Sequence, residues 1–211
     1  AVQAVRFLQT MASTHRLFSM GVGEACPTLV SLRQMTASAA TVIKPQLRPG
    51  VALDLQLPPE GLRVHIDETR MGQVIINLAQ NASRFTSQGA VSVVCSYDRG
   101  AGSGGDDADA ASAADGHDGP MGMVTVMVRD SGVGLTDKAK QTLLTAVQPA
   151  SGVDVGCGIG LYLAQKLLVS MGSTLEFRSP WTERHAGTEF KFSVAVREGA
   201  SLPPPPPDPA Q

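Results

Sequence analysis

Gln73, Asn77, Asn81 and Arg84 recur at 0, +4, +8 and +11 inside the stretch DETRMGQVIINLAQNASRFT. At helical pitch they form one stripe of carboxamides that ends in a guanidinium. Asparagine is a mediocre helix former because its amide competes for nearby backbone groups. Two of them one turn apart therefore need a reason. A solvated helix face is one; a phosphate and its metal ion, met by amide oxygens and a guanidinium at the edge of the core, is the other. Two further segments carry chemistry. DSGVGL, residues 130–135, places an acid at the end of a β-rich run with glycines at +2 and +4. Those glycines allow positive φ and the close approach of a flat ligand, and Asp130 can accept a hydrogen bond from an exocyclic amine. GCGIGL, residues 156–161, is Gly-x-Gly-x-Gly entering a helix. It is neither the dinucleotide fingerprint nor the GxxxxGKS/T phosphate loop. It still offers bare N–H groups at the positive end of a helix dipole, which favours anions. Alone, the acid turn is a common connector, and the glycine segment is a flexible loop joined to a helix. All three in this order are what a nucleotide site needs.

The elements that must position these residues are legible from periodicity. Met71, Val74, Ile75, Leu78, Ala82 and Phe85 make an apolar stripe beside the amides, so residues 67–86 read as an amphipathic helix capped by Asp67. Residues 1–19 read as a helix ended by Gly21 and Gly23. Pro27 suits the first turn of a second helix running to about Ile43. Strands are expected at Val51–Leu57, Leu62–Ile66, Ala90–Tyr97, Met123–Arg129, Ser173–Arg178 and Thr188–Val196. Helices are expected at Asp137–Val147 and Leu161–Met171. The order is strands, helix, hairpin, two helices, hairpin. That predicts a two-layer α/β sandwich of mostly antiparallel sheet with helices on one face.

Composition sets the remaining bounds. The 211 residues are 43% hydrophobic but only 4% aromatic, so the core must be built mainly of aliphatic side chains. The net charge of −2 gives no electrostatic argument for nucleic acid. Residues 98–120 hold six aspartates against Arg99, with almost nothing to bury, and read as a disordered insertion. The rest of the chain is mildly positive. Three cysteines without a CxxC or Cys/His pattern indicate neither a disulfide framework nor a zinc site, and fit a reducing, cytoplasmic setting. No run reaches the roughly 18 apolar residues of a membrane span. Five consecutive prolines in Leu202–Gln211 read as an extended spacer. The first residue is Ala, consistent with a piece of a larger protein, membrane-attached or not.

DETRMGQVIINLAQNASRFT, DSGVGL, GCGIGL and GTEF resemble the asparagine box, the two glycine boxes and the final GT-x-F of the ATP-binding domain of sensor histidine kinases. These belong to the superfamily of gyrase, Hsp90, histidine kinase and MutL-type ATPases. The resemblance covers about residues 51–197 and implies the Bergerat sandwich, with ATP and Mg2+ as cofactors. It implies that Asn81 ligates Mg2+ and that Asn77 lies close to the metal and the attacked phosphate. It implies that Arg84, where the family usually has Lys, contacts phosphate and that Phe85 lines the adenine pocket. Asp130 would bind the adenine amine, and Gly132 and Gly134 would shape the base pocket. Gly156, Gly158, Gly160 and Leu161 would form the lid hinge and phosphate cradle, and Thr188 would lie behind the adenine. Hydrolysing members of the superfamily tend to have Glu at the position of Asn77. An amide cannot take a proton from water, so a kinase is favoured.

The implied architecture is a helical segment over 1–46, an ATP-binding domain over 47–198 with the insertion at 98–120, and a proline-rich tail over 199–211. The implied partners are the phosphoacceptor histidine of a dimerisation domain and a response-regulator receiver domain. Homodimerisation would run through upstream helices. No nucleic acid and no membrane contact are implied for this segment. The chain departs from the family in two places. His15 is followed by Arg16-Leu17-Phe18 rather than the acceptor signature, and His65, His117 and His185 do not match it either. Leu143-Leu144-Thr145-Ala146-Val147 stands where the family has phenylalanines, before a short lid. These departures motivate an alternative, a degenerate nucleotide-binding pseudokinase that regulates a partner.

Overall fold

The computed structural model describes residues 25–100, 119–145, 158–181 and 186–199. The helix expected over 1–19, with His15, lies outside the described residues. So do most of the acidic insertion with His117, the lid with Gly156, and His185 and the proline tail.

Alternating valines build the sheet. β4 (Gly89–Arg99), β5 (Met121–Asp130) and β7 (Thr188–Glu198) pair antiparallel over most of their length. Because strand side chains alternate, Val91, Val93 and Cys95, then Val124, Val126 and Val128, then Phe190, Phe192, Val194 and Val196 share one buried face. Each such side chain contributes about 1.5–3 kcal/mol by leaving water. Serine, threonine and lysine at Ser92, Thr125, Ser193 and Lys191 take the other face. β2 (Val51–Gln56) adds to β4 in parallel. β1 (Thr28–Ser31) and β3 (Arg63–Ile66) complete the order β1-β3-β7-β5-β4-β2, and the short β6 (Glu176–Arg178) also pairs with β7.

The helices cover the valine face. α1 (Leu32–Thr41) buries Leu32, Met35, Ala39 and Ala40, and α2 (Glu68–Phe85) buries Met71, Val74, Ile75, Leu78 and Ala82. α3 (Asp137–Thr145) follows β5, and α4 (Gly158–Ser170) packs against α2 with Leu161, Leu163, Ala164, Leu167 and Leu168 buried. This is the two-layer sandwich the element order predicts, with the aliphatic core that the composition requires.

Element boundaries differ from expectation chiefly around β1, β6 and α4. The second helix does not start at Pro27. Thr28–Ser31 is a strand, because these residues pair with Ile66–Arg63 at the sheet edge. Ser31 then caps α1 through its Oγ, which accepts from Gln34 N. The helix ends at Thr41, and a 3-10 turn at Lys44–Gln46 carries Pro45. The strand expected from Ser173 begins only at Glu176, because Gly172 (φ 70°) and the Ser173 N–H bond to Leu168 O at 2.8 Å cap α4. α4 itself starts at Gly158 rather than Leu161.

Candidate functional site

α2 is the spine of the site. Asp67 caps it by accepting from Arg70 N at 2.9 Å, and the Arg70 side chain bonds both Asp67 and Ser170 Oγ, tying the start of α2 to the end of α4. With the two helices locked, Asn77 faces the first turn of α4. A Cβ placed on Gly160 would stand 3.8 Å from Asn77 Cγ. Asn77 is 2% exposed. Its Oδ1 accepts from Gln73 Nε2 at 3.0 Å, but its sealed Nδ2 has no partner among the described residues. A buried donor left unpaired costs about 1–3 kcal/mol, and such a group in a native fold calls for a ligand or a strain argument. The Asn77 side chain packs against Gly160 in the first turn of α4, where helix N–H groups and the positive dipole end favour an anion.

One turn further along α2, Asn81 is half-buried; Arg84 and Phe85 beyond it are exposed. The Arg84 guanidinium sits 5.7 Å from the Phe85 ring centroid. Phe85 then meets the DSGVGL turn. A Cβ on Gly132 would stand 2.3 Å from the Phe85 carbonyl oxygen, so only glycine fits. Asn77 and Phe85 are eight residues apart, about 12 Å along the helix axis at 1.5 Å per residue. One helix therefore spans the distance between the glycines of α4 and the glycines of the turn, with Asn81 midway.

The acid of that turn is held firmly. Asp130 is 4% exposed, and its Oδ1 accepts from Gly132 N at 2.8 Å and Thr188 N at 3.3 Å. Both bonds fall on Oδ1, which leaves Oδ2 for a ligand's donor. Burial pushes the Asp130 carboxyl above its usual range, and the two backbone N–H groups draw it partly back. Thr188 is buried directly opposite Asp130 in the β5–β7 register. Gly134 takes φ 77°, and Leu135 N donates to Ser179 Oγ. Ser131 Oγ ties the other flank of the turn to Gln88 O and Ala90 N.

The structure thus joins Asn77 to Gly160, beside Gly158 and Leu161, at one point of α2, and Phe85 to Gly132, Asp130 and Thr188 at its end, with Asn81 between them and Gly134 two residues beyond Gly132. Arg84 is on the same helix but at its exposed edge. An open groove of about 550 Å³ lined by Leu29, Ser31, Gln34, Met35 and Arg63 contains none of them. Among the described residues no cluster of three His, Cys, Asp or Glu side chains could hold a metal ion. Sequence reasoning missed the support behind the turn. Ser179 Oγ donates to Gly187 O, Gly187 N donates to Gly132 O, and Trp181 Nε1 donates to Asp130 O at 2.6 Å. Neither Ser179 nor Trp181 recurs at any spacing; the one hint was a lone tryptophan in a polar loop.

Residues 66–198 match the family described as histidine kinase-, DNA gyrase B- and HSP90-like ATPase. Curated relatives include histidine protein kinase 1 of Candida albicans, 31% identical over 134 residues, which are 62% of this chain and 5% of the relative. Two-component system protein A of Emericella nidulans is 27% identical over 182 residues, 84% of this chain and 24% of the relative. The chain thus spans a small part of the curated relatives it matches. Among solved structures, full-length ShkA in complex with AMPPNP superposes with a TM-score of 0.62 at 21% identity, covering 95% of this chain and 39% of that one. The catalytic domain of histidine kinase ThkA gives 0.53 at 20% identity, covering 80% and 94%. No described helix is long and apolar enough to cross a membrane. With the family matching more than half its length, the chain belongs to the histidine kinase-, DNA gyrase B- and HSP90-like ATPases.

Proposed function

We propose that this chain is the ATP-binding catalytic domain of a sensor histidine kinase and that it transfers the γ-phosphoryl group of ATP to a histidine outside this chain. The observation that carries this reading is Asn77, buried against Gly160 with an amide donor that has no partner among the described residues, on the same helix whose far end abuts Gly132. Adenine enters against the glycine turn, where Asp130 Oδ2 accepts its exocyclic amine and Thr188 closes the back. Phe85 and Leu161 border the nucleotide. The phosphates run along α2 toward α4, where Asn77 Nδ2 and the N–H groups from Gly158 onward donate to them. Gly156 would extend that cradle, and Arg84 adds positive charge from the rim.

The carboxamide oxygens on α2 fit Mg2+, a hard ion that keeps several waters and takes few protein ligands beside phosphate oxygens. Asn81 would hold it. When bound, Mg2+ supplies neutralisation of the charge on the β- and γ-phosphates. Asn77 offers no base for water, so the chain's own contribution is position and electrostatics, and the nucleophile is a separate histidine. The whole protein then has a dimerisation domain carrying that histidine and a receiver domain as acceptor. In this division residues 1–46 are the lead-in, 47–198 the ATP-binding domain with its insertion at 98–120, and 199–211 the tail.

The test is incubation of the chain with γ-labelled ATP, Mg2+ and a dimerisation domain bearing the acceptor histidine. Acid-labile label on the histidine is expected. Tight ATP binding with no label would favour a pseudokinase instead, and steady phosphate release from the chain alone would favour a hydrolysing ATPase.

A further inference from the structure

Arg129 and Asp130 are consecutive, so their side chains leave β5 on opposite faces. Each has its own partner on β7: Asp130 stands opposite Thr188 and Arg129 opposite Glu189. The Arg129 Nε–Glu189 Oε2 ion pair is 2.6 Å long and partly buried. The Arg129 guanidinium also lies 5.2 Å from the ring centroid of Trp181, within cation–π range. Trp181 in turn donates its Nε1–H to the Asp130 carbonyl at 2.6 Å. Gly187 makes this reach possible, because a Cβ there would stand 2.1 Å from Asp130 O and 2.5 Å from Trp181 Nε1. A single indole thus connects the outer-face ion pair to the peptide that leads from Asp130 into the turn.

We propose that Trp181 is a positioning residue for adenine recognition, its N–H holding the Asp130 peptide in the orientation that aims the carboxylate at the base. The inference rests on the reading of this site as an adenine-nucleotide site. The Asp130–Ser131 peptide plane sets where Gly132 N lies, and Gly132 N holds Oδ1. Loosening the carbonyl loosens both. Glu189 and Arg129 act one step further back by fixing the ring, so Ser179, Trp181 and Gly187 support the acid turn from behind.

The test compares ATP with purine riboside triphosphate, which carries hydrogen where ATP has its amine, by calorimetry on the full chain. Trp181→Phe keeps a ring under Arg129 and removes the N–H. Its ATP affinity should fall about fivefold, the scale of one hydrogen bond, while its affinity for purine riboside triphosphate stays at the parent's. Equal loss for both nucleotides, or no loss for either, overturns the proposal. The parent supplies a second measurement that needs no substitution, since Trp181 is the only tryptophan. Saturating ATP should shift the indole emission more than saturating purine riboside triphosphate does; identical shifts, or none with ATP, overturn it. A parent that binds neither nucleotide refutes the adenine-site reading itself, an outcome distinct from a parent that prefers ATP and a variant that keeps the preference.

Discussion

Gly132 and Phe85 touch backbone to backbone, with room for a hydrogen and none for a methyl group: a Cβ on Gly132 would meet the Phe85 carbonyl oxygen at 2.3 Å and its carbon at 2.8 Å. This contact joins the C-terminal end of α2 to the turn after β5. Any side chain there must push the two apart. Gly132→Ala should therefore destabilise the fold by about 2–3 kcal/mol, as overpacking against an unyielding neighbour does, and should weaken ATP binding with it. Gly72, on the same helix, has nothing within 4 Å of its would-be Cβ. Gly72→Ala should raise stability by about 0.5–1 kcal/mol through helix propensity. Denaturant midpoints of the two variants check both signs; similar shifts would mean that the Gly132 contact does not constrain the turn.

Asn77 and Asn81 separate stability from binding. Asn77 carries an unpartnered donor, so Asn77→Ala removes one hydrogen bond, from Gln73, and one unsatisfied group. These oppose each other, and its melting temperature should move by only a few degrees. ATP affinity should nonetheless fall at least about tenfold, or about 1.4 kcal/mol. Asn81→Ala should abolish most of the gain in ATP affinity that Mg2+ brings. Titrations with and without Mg2+ decide it: an unchanged Mg2+ effect in Asn81→Ala would remove Asn81 from the metal's coordination.

Asp130 gives a pH-dependent prediction. Burial raises its pKa in the folded chain. A raised carboxyl pKa contributes stability fully present below the unfolded pKa and lost as pH rises through the folded value. At neutral pH the ionised Asp130 is therefore a standing cost. Asp130→Asn keeps an oxygen for the Gly132 and Thr188 N–H groups, so it should melt at or above the parent at pH 7, and that advantage should shrink on acidification toward the carboxylate range. It should also bind ATP about tenfold or more weakly, having lost a charged acceptor. Melting curves against pH test the first half and calorimetry the second.

Glu198 should show the reverse slope. It accepts from Arg99 and from Tyr97 Oη, and the Arg99 bond holds its carboxyl below the usual range. A lowered pKa contributes stability above the unfolded value that is lost as pH falls through the folded one. Glu198→Gln should therefore destabilise the chain at neutral pH, with the difference from the parent closing in acid. The β5–β7 register sets Glu198 at the opposite end of the sheet from the Asp130–Thr188 pair, about 30 Å away at 3.3 Å per residue. ATP affinity should be unchanged, which calorimetry on the folded variant checks.

The sequence by itself determined the α2 stripe, the alternation in β4, β5 and β7, the cap at Asp67 and the three motifs. Each of these is a periodicity or turn preference expressed within a few residues, so it survives without knowledge of neighbours. Tertiary structure decided that Thr28–Ser31 is a strand, because its pairing partner lies more than thirty residues on in β3. It decided that β2 runs parallel to β4. It also decided what stands behind the acid of the glycine turn. Trp181 reaches Asp130 across 51 residues of chain, and no local spacing encodes such a contact. Side chains that hold a binding residue from behind are chosen by packing, and packing exists only once the strands have met.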